Sequence, residues 1–175
     1  MTDMVEVPPQ RTHSRAARTV DCMVKICALV PYALVALGLR TLMARVFFYP
    51  GQDMIQGPKY PQEGMAYAIT LPVYVREETV KLFEQRFADT PLSPKLIAYV
   101  VAYAEFVLPI LLVIGLATRF TAFALLLLTA LIDRYLAPDA FWSLHIYWYA
   151  ILLVLLSAGP GMISADYLVR RNYES

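Results

Sequence analysis

An apolar stretch from Leu96 to Arg119 constrains the fold more than any other part of the chain. It carries a single charged group before its end, Glu105, near its middle. As an α-helix that rises about 1.5 Å per residue, it extends about 36 Å, enough to cross a hydrocarbon core about 30 Å thick. The stretch is therefore predicted to span a membrane. A carboxylate inside a span needs a partner, a proton or a polar surrounding.

The composition agrees with a membrane protein. Hydrophobic residues make up 59% of the 175 residues and charged residues only 17%, which is too apolar for an ordinary soluble domain. The 15 basic and 14 acidic residues provide no basic face for nucleic acid. Cys22 and Cys27 match neither a redox pair nor a zinc site.

The predicted fold class is all-α, an integral membrane four-helix bundle with an external loop that carries a short amphipathic helix. Residues 1–19 are predicted to be a disordered cytoplasmic tail, and residues 20–175 a single four-span membrane domain. The spans are predicted at about 22–48, 96–117, 120–136 and 141–158, with the external loop at 49–94.

Two parts of the external loop are apolar. Met65 to Val75 is too short to span and is expected to lie at the interface or dock on the bundle. Between Arg76 and Ala88, Val80, Phe83 and Phe87 recur at helical spacing, opposite charged residues. This pattern predicts an amphipathic helix suited to a membrane surface or a partner.

Short basic segments predict the orientation. Arg119, Arg170 and Arg171 fall on the same side of a four-span model as the basic N-terminal residues. Because basic residues favour the cytoplasmic side, both termini are predicted to be cytoplasmic and the protein to lie in the cell (inner) membrane.

The polar residues within the spans are predicted to cluster in the outer half of the bilayer. Glu105 lies about 15 Å inside the outer end of span two and Arg40 about 12 Å inside that of span one, so an ion pair is predicted. Tyr103 is expected to add a hydroxyl, and Asp133 and His145 lie near the outer ends of spans three and four. One interpretation is a pocket open to the outer leaflet for a quinone. The other is a structural pair that fixes helix register.

No motif for haem, iron–sulfur, nucleotide or nucleophilic catalysis occurs. No metal site, no intrinsic cofactor and no catalytic residue is therefore assigned, and a quinone is the one cofactor under consideration. The inner half of the spans lacks comparable polar groups, which argues against a transport function, because a carrier presents its site to both sides.

Three segments resemble the DoxX family of four-span membrane proteins: AYAEFVLPILLVIGLATRFTAFALLLL, LGLR and the closing GPGMISAD. The resemblance covers roughly residues 30 to 170. Family members often carry a lysine where this chain has Met54, and the external loop here is longer. The family-type positions are Arg40, Gly51, Glu105, Pro109, Gly115, Thr118, Arg119, Gly159, Pro160, Gly161, Ser164 and Asp166.

The resemblance implies association with quinol oxidases, thiosulfate:quinone oxidoreduction or other membrane oxidoreductase complexes. The favoured hypothesis is an accessory, quinone-interacting subunit of such a complex, with lipids and other membrane subunits as partners. The alternative is a non-catalytic scaffold that docks a partner through the loop at 49–94. A small-molecule or metal transport component is the least favoured hypothesis.

Overall fold

The computed structural model describes residues 31–61 and 68–173. The predicted N-terminal tail, the first part of the predicted first span and the start of the interface segment at Met65 lie outside these residues.

The described chain forms a helical bundle. Its α-helices are α1 (Tyr32–Met54), α2 (Glu77–Arg86), α3 (Pro94–Ile114), α4 (Thr118–Tyr135), α5 (Ile146–Ala158) and α6 (Ala165–Tyr173). Helix α1 packs on α3 and α5, and α4 packs on the same two helices, so these four helices close a ring. The predicted fold class is confirmed.

Three segments of the described chain are long and apolar enough to cross a membrane: α1, α3 and Pro138–Ala158. In the last of these, a short 3₁₀ turn and a π-helical turn over Phe141–His145 precede α5. Helix α4 has 18 residues and carries its charged side chains near its two ends. The bundle core consists of apolar side chains from all four helices, including Met43, Phe47, Leu112, Leu125 and Leu152.

Helix α1 continues past the predicted end of the first span. Tyr49, Pro50 and Gly51 were expected to carry the chain out of the membrane, but α1 runs through them to Met54. Gly51 is buried because it packs against the backbone of Glu105 in α3. Tertiary packing therefore overrides the local preference of proline and glycine for a turn.

The loop after α1 forms an antiparallel ribbon that the sequence did not predict. Strand β1 (Ile55–Gln56) pairs with β4 (Tyr74–Val75), and β2 (Lys59–Tyr60) pairs with β3 (Ile69–Thr70). The buried Ile55 and Val75 pack on Ala102 of α3. The described end of the predicted interface segment therefore docks on the bundle.

Helix α2 also docks on the bundle. Phe83 and Phe87 are fully buried, their rings stack with centroids 5.2 Å apart, and Phe87 lies 4.4 Å from the ring of Tyr135. The amphipathic helix was predicted correctly, but its apolar face covers α3 and the end of α4. The expectation that this face meets the membrane or a partner is wrong.

Candidate functional site

The predicted cluster of polar side chains is divided among separate places in the bundle. Arg40 lies at the inner end, the end that carries Arg119 and α6. It is fully buried, and its guanidinium donates to the carbonyl of Ala36 at 3.3 Å and to that of Ile163. A Cβ added at Gly115 would lie 2.0 Å from Arg40 Nη1. Arg40 therefore ties α1 to the C-terminal end of α3 and to the segment before α6.

The predicted ion pair between Arg40 and Glu105 is wrong. Glu105 lies beside Gly51, eleven residues after Arg40 and so about 16 Å further along α1. The error comes from the position predicted for the C-terminal end of the first span. An end at residue 48 placed Arg40 about 12 Å from the outer end, whereas α1 ends at Met54 and the distance becomes about 21 Å. Polar groups consequently occur in the inner half, and the sequence argument against transport loses its premise.

Glu105 lies at the centre of the buried face of α3. Its side chain is almost completely buried, and Oε2 has no hydrogen-bond partner in the part of the chain that the structure describes. Pro109, one turn later, has no N–H to donate to the Glu105 carbonyl. Gly51 approaches this carbonyl: a Cβ added at Gly51 would lie 3.0 Å from the oxygen. Gly51, Glu105 and Pro109 thus form one close contact between α1 and α3.

Asp133 of α4 and His145, the last residue of the π-helical turn before α5, form a pair. His145 Nδ1 contacts Asp133 Oδ1, and the imidazole lies 4.3 Å from the ring of Trp148, which makes an edge contact with Phe47. The second carboxylate oxygen, Asp133 Oδ2, is buried and has no hydrogen-bond partner among the described residues. A carboxylate accepts a hydrogen bond from Nδ1–H, so this contact orients the imidazole ring.

Tyr103 faces the outer ribbon. Its hydroxyl donates to the carbonyl of Val73 at 3.4 Å, and its ring packs beside Ile55 and Val75. Of the five predicted residues, only Asp133 and His145 are therefore in direct contact with each other. Their assignment to a ligand pocket stays a prediction.

The inner end is held together by the closing GPGMISAD segment. Asp166 accepts hydrogen bonds from the backbone N–H groups of Ala117 at 2.6 Å and Thr118 at 2.8 Å. A carboxylate at this position satisfies donors that the start of α4 leaves free. Gly115, with φ +75°, ends α3 in the left-handed conformation and accepts the N–H of Asp166 at 2.9 Å.

A groove of about 410 Å³ runs along the lipid-facing side between α1 and α3. One wall carries Ala44 and Phe48 and the other Pro109 and Ile110. Arg45, which the sequence analysis left unassigned, is exposed at this groove. Its guanidinium carbon lies 5.5 Å from the centre of the Tyr49 ring. The groove is lined by Thr41, Ala44, Arg45, Phe48, Tyr49, Pro109, Ile110, Val113 and Ile114.

A second cavity, of about 440 Å³, lies between the outer end of α1 and the ribbon. It shares Phe48 and Tyr49 with the groove but is more polar. Gln52 Oε1 accepts the backbone N–H of Thr70 at 2.6 Å. Gln52 Nε2 is buried and has no hydrogen-bond partner among residues 31–61 and 68–173. The cavity is lined by Phe48, Tyr49, Gln52, Asp53, Lys59, Ala68, Ile69, Thr70 and Arg76.

The described residues contain no group of three or more His, Cys, Asp or Glu side chains that would hold a metal ion. The fold and these cavities define a small helical-bundle membrane protein with polar groups at several depths. The chain belongs to the DoxX family: the DoxX family model matches residues 35–133, from α1 to Asp133 in α4. Neither a curated protein nor a solved structure gives a significant match.

Proposed function

We propose that the protein is an accessory subunit of a membrane oxidoreductase complex and that it binds a quinone against α1. The observation that carries the proposal is the pair of adjoining cavities at Phe48 and Tyr49, one apolar and open to lipid, the other polar. A quinone combines a head with two carbonyl oxygens and an apolar tail. The family resemblance, which implies quinone-linked complexes, supports the same class of ligand.

The donors around the cavities suit a quinone head. Quinone carbonyl oxygens accept hydrogen bonds, and the unpartnered Gln52 Nε2 is a buried donor in the wall of the polar cavity. A buried donor without an acceptor costs about 1–3 kcal/mol. A ligand acceptor at this position would remove that cost. The tail would lie along Ala44, Pro109 and Ile110 in the groove.

The depth of Arg45 favours a ligand inside the membrane. Arg45 lies nine residues before the end of α1, about 13 Å along the helix axis. Lipid tails offer no acceptor to a guanidinium. The free energy of an exposed arginine at this depth is therefore unfavourable when only lipid surrounds it. Its guanidinium stacks on Tyr49, which lines both cavities, so a quinone oxygen held beside Tyr49 would accept a hydrogen bond from it.

In this proposal the buried polar groups do not contact the quinone directly. Glu105 holds the contact between α1 and α3, one turn from Pro109 in the groove wall. The Asp133–His145 pair lies across Phe47 from the two cavities. We propose that it takes up or releases protons when a quinone reacts in the complex. The basic residues at the inner end support an orientation with that end in the cytoplasm.

The test is the quinone content of the purified protein. Protein solubilised from native membranes in mild detergent is extracted with organic solvent, and quinone is quantified by mass spectrometry per mole of protein. Wild type is expected to retain quinone, and Arg45→Gln to lose most of it. The matched control is Arg134→Gln, because Arg134 is also exposed and stacks on a tyrosine, Tyr135, at 5.3 Å.

Two results would contradict the proposal. One is wild-type protein that carries no quinone although its partner subunits copurify. The other is an Arg45→Gln variant that retains as much quinone as Arg134→Gln. Identification of the copurified subunits in the same preparation tests the part of the proposal that concerns the complex.

The scaffold function keeps one specific observation in its favour. The ribbon presents Tyr60 and Tyr74 to the outside, exposed to 75% and 69%, together with the exposed Leu71 and Val73. Exposed apolar patches of this kind mark protein contacts. A Tyr60→Ser, Tyr74→Ser double variant is expected to lose copurifying subunits while the monomer keeps its quinone. Unchanged copurification would exclude docking at this surface.

A further inference from the structure

A third cavity, of about 400 Å³, lies at the inner end of the bundle, far from the two cavities at Phe48. The start of α4, the end of α5 and the first turns of α6 form its walls. Its charged side chains are Arg119, Arg170 and Asp166. The proposed quinone function does not use this cavity.

The cavity is basic despite Asp166. Both carboxylate oxygens of Asp166 are engaged by backbone N–H groups at the start of α4, at 2.6 and 2.8 Å. Arg119 has five N–H donors, and one of them donates to the carbonyl of Ser157 at 3.3 Å. Its guanidinium also passes close to Gly159, where an added Cβ would lie 3.4 Å from Nε. Among the described residues, Arg119 is thus held beside the cavity by one hydrogen bond, and its other N–H groups are available to a ligand.

Helix α6 has the character of an interfacial helix. None of its nine residues is buried, and its apolar side chains Leu168 and Val169 are exposed next to Arg170 and Arg171. Phe120, in the first turn of α4, is exposed to 69% and lines the cavity. Apolar and basic side chains in this combination lie at the boundary between headgroups and acyl chains.

We propose that this cavity binds the phosphate of an anionic phospholipid in the leaflet that meets the inner end of the bundle. Arg119 and Arg170 supply the positive charge, and Phe120 and Leu168 contact the upper part of the acyl chains. Free phosphate shares the charge but would leave these apolar side chains without a partner. Basic pockets between membrane helices are suited to such headgroups.

The experiment measures lipid retention by the full chain in detergent by native mass spectrometry. The protein is given phosphatidylglycerol and phosphatidylcholine with the same acyl chains at equal concentration. Wild type is expected to retain phosphatidylglycerol in excess. Because one arginine near a headgroup contributes about 1 kcal/mol, Arg119→Gln is expected to reduce that excess about fivefold. Arg134→Gln, at the other end of α4, is the matched control and should leave it unchanged.

Arg170→Gln provides a second variant that leaves the contact between Arg119 and Ser157 intact, so a folding defect of Arg119→Gln does not decide the result. Equal retention of the two lipids by wild type would overturn the proposal, as would an unchanged excess in a folded Arg119→Gln or in Arg170→Gln. Displacement of phosphatidylglycerol by inorganic phosphate at the same concentration would identify a free-anion site and would also overturn it. None of these outcomes depends on quinone binding.

Discussion

The contact between Gly51 and Glu105 predicts a measurable difference between two glycines of the same helix. A Cβ added at Gly51 would lie 2.8 Å from Glu105 Cβ, and 2.9 and 3.0 Å from the backbone carbon and oxygen of that residue. Backbone atoms have no rotamer that relieves such a clash. At Gly38, also within α1, an added Cβ would meet nothing within 4 Å. Gly38→Ala is therefore the matched control for Gly51→Ala.

Two contributions to the free energy of unfolding have to be considered, one common to both substitutions and one specific to Gly51→Ala. Each replaces glycine by alanine inside a helix, which favours the helix by about 1 kcal/mol. Only Gly51→Ala forces extra volume into a packed contact, which costs about 1–3 kcal/mol. The shared term cancels in the comparison. The free energy of unfolding of Gly51→Ala is therefore expected to be about 1–3 kcal/mol lower than that of Gly38→Ala.

Unfolding in mixed micelles of increasing denaturing detergent, followed by the fluorescence of Trp142 and Trp148, measures this difference. Gly38→Ala should unfold at or above the detergent fraction at which wild type unfolds, and Gly51→Ala below it. Equal stability of the two variants would refute the close approach of α1 and α3 at Glu105. It would also refute the extension of α1 to Met54, on which that approach depends.

Three further tests, each at a different part of the molecule, examine the rest of the architecture. Asp166→Ala removes the acceptor of two backbone N–H groups, so it should cost about 0.5–2 kcal/mol and accelerate amide hydrogen exchange at the start of α4. Asp133→Asn and His145→Gln, measured singly and together as a double-mutant cycle in unfolding, should show a coupling of about 0.6–1.7 kcal/mol; additive effects would contradict their contact. The Phe83 side chain is 0% exposed, so Phe83→Ala should lower the free energy of unfolding by about 3–5 kcal/mol and expose the outer loop to protease. Leu82, which is 43% exposed, is the control, and Leu82→Ala should have neither effect.

Hydropathy was sufficient to predict the class of fold because a bilayer imposes it. Within a hydrocarbon layer every backbone polar group must be paired inside the segment, so long apolar stretches have to be helices. The amphipathic spacing of Val80, Phe83 and Phe87 likewise predicted α2. It did not specify the surface that α2 covers, because an apolar face fits the bundle, a bilayer or a partner equally well.

The register between helices was not predictable in the same way. It depends on where α1 ends, and the turn-forming Pro50 and Gly51 predicted an early end that packing against Glu105 overrides. Of the two glycines in α1, only Gly51 lies against another helix; a Cβ added at Gly38 would meet nothing within 4 Å. The ribbon escaped prediction because each of its strands has only two residues, too few to show an alternating pattern.

The two arginines of α1 show why the candidate site was only partly predictable. Arg40 and Arg45 are five residues apart, so at about 100° per residue they point about 140° away from each other. One must face the bundle when the other faces lipid. The sequence does not say which, and the depth argument selected Arg40 as the partner of Glu105. Arg40 is buried and bonded to backbone carbonyls, whereas Arg45 is the residue that faces a groove.

Like Arg40, most of the family-type positions serve the packing of the bundle. Arg40, Gly115 and Asp166 hold the inner end together, and Gly51, with the Glu105–Pro109 turn, sets the contact between α1 and α3. Residues occupied in packing of this kind specify the architecture and leave the ligand open. The polar side chains that line the proposed quinone cavities, such as Arg45 and Gln52, lie outside the family-type positions. The family-type positions therefore account for the packing of the bundle, whereas the proposed ligand depends on these polar side chains.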